Sequence, residues 1–148
     1  MAQMDDVCRA ARAYRARIQE SEGPVAVITL KDTRQPVGDT GAEMGSTELG
    51  SMSVLAHRIP AGLDYADLLR AACGDLLCPV PHYFVVTKGV LEIQYTDGTA
   101  ESVRAGDVAY APPGHSIRAI EDVEMAEISP TDGNAFLMGR IAATGLLS

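Results

Sequence analysis

Nowhere does this chain approach the ~20 consecutive apolar residues needed to span a bilayer, although hydrophobic residues make up 47% of its 148 positions. The opening Met1-Ala2-Gln3-Met4-Asp5-Asp6 lacks the basic and then apolar pattern of an export signal, so a cytoplasmic protein is expected. Cysteine is scarce and odd in number: Cys8, Cys73 and Cys78 make a poor disulfide framework, and thiols that stay reduced are available as ligands. Positive charge is also in deficit. With 20 acidic and 12 basic residues the net charge is −8, which argues against a nucleic-acid backbone or an anionic membrane surface as partner. Missing too are a nucleophile elbow, a phosphate loop, paired carboxylates in an evident cleft and an attached DNA-binding domain.

What is present fits one compact domain with a real core. Met4, Val7, Cys8, Ala11, Tyr14 and Ile18 recur at helical spacing, which predicts an amphipathic N-terminal helix within residues 1–22. Its Arg9, Arg12, Arg15 and Arg17 form either a solvated face or a grip for an acidic partner. Ser21-Glu22-Gly23-Pro24 stops the helix, and Val25–Leu30 reads as a strand opening a barrel domain over 23–148. Residues 31–52 carry Gly38, Gly41, Gly45 and Gly50 among polar side chains and read as a long loop, a plain excursion or a lid over a barrel mouth.

Beyond that loop the strand signals come in quick succession. Ser53–Ile59 alternates, a short helix is expected around Tyr65–Ala72, and strands follow at 82–87, 90–96, 99–104, 108–111, 115–120 and 123–129. Many short strands with tight turns favour an all-β antiparallel barrel or sandwich. The apolar Phe136, Leu137, Met138 and Ile141 lie near a terminus, where exposed surface commonly becomes a subunit contact.

Two stretches carry the chemistry. Cys78-Pro79-Val80-Pro81-His82 places a thiol and an imidazole four residues apart, an even offset that points both to one side of an extended segment. Pro79 and Pro81 favour that extension. Pro112-Pro113-Gly114 forms a rigid turn delivering His115 to the start of its strand. The region from Cys73 to Pro130 resembles the cupin superfamily, whose first motif has two histidines flanking one residue, a glutamate, six residues and a glycine. Gly89 matches that glycine, His82 stands at the glutamate, Cys78 at the second histidine and Leu76 at the first. In the second motif Gly106, Pro112 and Gly114 match, while Ile117 occupies the histidine position and His115 lies two residues earlier, on the same side of the strand. The resemblance implies an antiparallel jelly-roll β-barrel with a site inside it and, because such barrels often pair, a homodimer.

Two imidazoles and a thiolate suit zinc, with a water in the fourth position; iron or manganese comes second, and a pocket without metal remains the alternative. His57 is in phase with Leu55 and Ile59, and Tyr95 with Leu91 and Ile93, so these two are the candidate proton-moving catalytic groups. Tyr83 and Arg118 fall out of phase, and Cys8 and Cys73 have no ligand spacing to a histidine. Two functions follow: a metal-dependent small-molecule enzyme of isomerase, lyase or hydrolase type, or a barrel that binds a small molecule or a metal without turning it over.

Overall fold

The computed structural model describes Val27 and residues 29–147. The expected N-terminal helix, its arginines and Cys8 lie outside the described residues, as does most of the segment 25–30. Leu30 itself opens a helical turn, α1 (Leu30–Thr33), rather than closing a strand. Then come β1 (Gln35–Pro36), β2 (Glu43–Leu49), β3 (Met52–Ile59), α2 (Ala66–Cys73), a 3-10 turn (Gly74–Leu76), β4 (His82–Lys88), β5 (Val90–Tyr95), β6 (Ala100–Arg104), β7 (Val108–Ala111), β8 (His115–Ala119), β9 (Val123–Pro130) and α3 (Thr131–Thr144).

The strands form two antiparallel sheets in jelly-roll fashion. One has the order β1-β2-β3-β9-β4-β7 and the other β6-β5-β8. Alternation along the strands puts one face of each sheet inward, and the inward residues make a common core in which Phe84, Leu91, Ile93 and Val123 are almost fully buried. Each such side chain contributes about 1.5–3 kcal/mol relative to exposure. Gly89 links β4 to β5 with φ at +78°, and a Cβ there would fall 2.1 Å from the Asp122 carbonyl oxygen, so the sharp turn has no room for a side chain.

The expectation of a loop over 31–52 is corrected. Glu43–Leu49 pairs along its whole length with β3, from Glu43 opposite Arg58 to Leu49 opposite Met52. Glycine and serine lowered the strand signal there, but a half-buried position against a central strand outweighs intrinsic preference. Gly45 is where α1 crosses: an added Cβ would lie 2.1 Å from the Thr33 carbonyl oxygen. The glycine read as loop punctuation is thus a point of close backbone approach.

A second, smaller core lies under the helices, where Leu69 of α2 and Leu137 of α3 pack with Leu77, Cys78 and Val80. Part of the apolar C-terminal segment is therefore spent inside the molecule, while Phe136 and Leu146 remain exposed. Among the described residues no helix is long and apolar enough to cross a membrane.

Candidate functional site

Where the two cores meet, the strand register assembles a polar cluster. Glu127 of β9 stands directly opposite Leu55 of β3 on one side and Phe84 of β4 on the other. His57 lies two residues after Leu55 and His82 two residues before Phe84, so both flank Glu127 diagonally on the inner face, within reach of a long side chain. His57 Nε2 is 3.1 Å from Glu127 Oε2, and His82 Nδ1 is 3.0 Å from Oε1. The second contact is out of line with the ring N–H, leaving His82 Nδ1 close to a negative charge but without a hydrogen-bond partner.

Cys78 and His115 meet through the backbone. Cys78 N–H donates to the His115 carbonyl (2.9 Å) and Gly114 N–H to the Cys78 carbonyl (2.7 Å), an isolated antiparallel bridge that sets thiol and imidazole side by side. Leu77, just before the cysteine, holds φ at +56°, a conformation that costs a non-glycine residue on the order of 1–3 kcal/mol. Its buried side chain in the second core and its N–H bond to Gly74 (3.1 Å) hold it there.

The expected trio of Cys78, His82 and His115 is thus brought together: one donor atom from each lies within 4.8 Å of the other two, and all three residues are buried. Cys78 Sγ is 3.1 Å from His82 Nε2. His115 Nδ1–H donates to the Pro112 carbonyl (2.6 Å), which leaves Nε2 unprotonated. His57 also lines this cavity, as expected, tied to Glu127. Tyr95 is not part of it: its hydroxyl donates to Glu101 (3.0 Å) at the surface. The tyrosine of the cavity is Tyr65, from the residue preceding α2. Tyr83 and Arg118 point elsewhere, Tyr83 packing on Tyr110 and Arg118 pairing with Glu92.

Burial governs the protonation states. It pushes the Cys78 thiol up to about 12, with help from the charge on Glu127 and against the pull of a hydrogen bond from the Val80 backbone. Burial likewise lowers His82, and takes His115 down to about 4, the Pro112 hydrogen bond opposing and His82 assisting. For Glu127, burial alone would raise the pKa; the hydrogen bond with His57 and the neighbouring imidazoles more than offset it, and the carboxyl stays ionised. Tyr65 is raised to about 12 by burial and then by Glu127.

One consequence is acid sensitivity. The unfolded chain takes up a proton at His115 near the ordinary value of 6.5, the folded chain only near 4, so stability falls as pH drops through that window. For metal-free protein the loss from His115 between pH 7.5 and 5 is about 2 kcal/mol. Urea unfolding at the two pH values measures it. A His115→Gln variant should show a flatter dependence; an unchanged one would mean that His115 is not buried neutral.

Glu127 was not anticipated as a site residue. Its signal was present, since it alternates in phase with the apolar Val123 and Met125, and a carboxylate on a core-facing position needs partners. The cavity they share has a volume of about 80 Å³. Ile117, at the family's histidine position, lines it, while Leu76 is solvent-exposed.

This architecture is the cupin fold. Among solved structures the chain is similar to the cupin domain of Schizosaccharomyces pombe Cnp3 (20% identity, TM-score 0.51, 77% of this chain and 80% of that one). It is also similar to KdgF from Halomonas sp. (17% identity, TM-score 0.52, 73% and 94%) and to ectoine synthase from P. lautus (16% identity, TM-score 0.51, 72% and 78%). No protein-family model and no curated protein matches the sequence.

Proposed function

We propose that this protein is a metal-dependent enzyme acting on a small molecule inside the cupin barrel, with zinc held by Cys78, His82 and His115. The observation that carries the reading is the convergence of three donor atoms within 4.8 Å, with the Nδ1 sides of both imidazoles facing oxygen and the Nε2 of His82 turned toward the Cys78 sulfur. A carboxylate or carbonyl behind a histidine is the usual outer support of a metal ligand. Two imidazoles and one thiolate suit zinc with a fourth position open. The fit requires one adjustment: ligands on a tetrahedral zinc stand about 3.6 Å apart, so Cys78 and His82 would separate by roughly half an ångström from their 3.1 Å contact.

Zinc in that position would polarise a carbonyl oxygen or lower the pKa of a bound water. The chain's own part is proton management. His57, held by Glu127 Oε2, carries a proton at the cavity wall, and Glu127 steadies the charge that His57 gains when it accepts one. Tyr65, with its pKa raised to about 12, remains a neutral hydroxyl donor beside them. This supports isomerase, lyase or hydrolase chemistry.

The test is a proton count. Cys78 is protonated at neutral pH and the ligand imidazoles are neutral, so binding through all three should release about one proton per zinc. Calorimetric titration in buffers of different ionisation enthalpy reads that number, and zero would exclude thiolate ligation. A second reading, a barrel that binds without catalysis, is favoured by the 3.1 Å contact that already satisfies Cys78 and His82 without an ion. Less than a tenth of an equivalent of zinc retained after reconstitution would select it.

A further inference from the structure

Asn134 is a polar cavity residue that neither the trio, nor the His57–Glu127 pair, nor the role given to Tyr65 explains. It sits in the first turns of α3, is 7% exposed, lines the cavity, and its Oδ1 has no hydrogen-bond partner. A buried unpartnered amide is costly, and asparagine is also a poor helix-interior residue, so stability does not account for it. The helix holds it in place at both ends. Gly133 lets α3 press on Val80, since an added Cβ would fall 2.8 Å from Val80 Cγ1, and Arg140 Nε–H donates to the Ala72 carbonyl (2.8 Å).

The rest of the lining limits what enters. Around the polar cluster stand Leu55, Leu68, Met138 and Ile141, and among the described lining residues there is no lysine or arginine. A buried anionic group would find no cationic side chain to compensate it, and a polyhydroxylated one would find too few polar groups.

From these observations we propose that the cavity selects a small, uncharged, mainly apolar molecule carrying one hydroxyl or N–H group that donates to Asn134 Oδ1, with its apolar body against α3. This rests on the reading above only in placing the molecule's carbonyl end at the trio; the role of Asn134 does not depend on metal. In the enzyme reading, the substrate is then a small neutral carbonyl compound with one such donor.

The experiment uses three probes of similar body, cyclohexanol, methylcyclohexane and cyclohexanecarboxylate, titrated by NMR into metal-free and zinc-loaded protein. Cyclohexanol should bind about tenfold tighter than methylcyclohexane in both forms, and the carboxylate weakest in the metal-free form. Asn134→Leu should erase the advantage of cyclohexanol and raise Tm by about 3 °C. Asn134→Ala, which removes the acceptor without adding bulk, should erase the same advantage. Equal cyclohexanol affinity in wild type and both variants, tighter carboxylate binding to metal-free protein, or a lower Tm in Asn134→Leu would each overturn the proposal. Failure of zinc to bind with the hydroxyl preference intact would instead remove the metal reading and leave this one standing.

Discussion

Replacing Cys78 with alanine is expected to abolish zinc-dependent stabilisation while leaving the fold in place. In wild type, zinc at a hundred times its Kd adds about 2.7 kcal/mol, which corresponds to a rise in Tm of about 5–10 °C for a domain of this size. The sulfur supplies the only thiolate of the trio, and two imidazoles alone leave the ion half coordinated, so affinity should fall at least about a hundredfold. The substitution itself is mild. A buried cysteine behaves as a small hydrophobe, and losing its sulfur costs on the order of 1 kcal/mol. The bridge that positions residue 78 opposite His115 is made by backbone atoms and survives the change. Thermal unfolding with and without zinc separates the terms: a lower starting Tm reports packing, and the vanished increment reports ligation. An alanine variant that binds zinc as tightly as wild type would remove Cys78 from the metal site.

The largest stability effect is expected at Glu127. It is buried between two histidines, with one oxygen hydrogen-bonded to His57 and the other 3.0 Å from His82 Nδ1. Glu127→Ala strips both imidazoles of that carboxylate and leaves polar groups in a closed space; breaking a buried array of this kind costs about 3–5 kcal/mol, and Tm should fall by about 10 °C or more. Glu127→Gln is expected to cost about half as much, because one end of the amide can still meet His57. The carboxyl is held below the ordinary carboxylate value in the folded chain, so its contribution is present above the unfolded pKa and is lost as pH falls through the folded one. Chemical denaturation of the two variants near neutral pH tests the ranking. An alanine variant within 1 kcal/mol of wild type would show that the histidines find other partners, and the proton-carrying role given to the pair would fall with it.

These effects could be located at different depths from the sequence. Cys78, His82 and His115 were legible because proline and glycine brace them locally: an extended Cys-Pro-Val-Pro-His segment and a Pro-Pro-Gly turn fix the direction of the chain over a few residues. The strands from His82 to Ser129 were legible for the same kind of reason, alternation and tight turns being short-range signals. Tyr95 shows where phase stops helping. It does alternate with Leu91 and Ile93, yet it ends β5, where its hydroxyl reaches the surface and Glu101.

What only the tertiary structure decided is long-range. Glu127 becomes a partner of two histidines because β3 and β4 both pair with β9 in one particular register, and a shift of one residue would have turned all three side chains to the outer face. Glu43–Leu49 becomes a strand because β3 is there to receive it. Tyr65 and Asn134 reach the cavity because the helical parts close over the barrel mouth, and Asn134 sits on a helix whose place is set by contacts with Val80 and Ala72, more than fifty positions away in the chain. Backbone bias within a few residues is written in local residue types. Pairing register and helix docking depend on the summed packing of distant segments, and that sum exists only in the folded molecule.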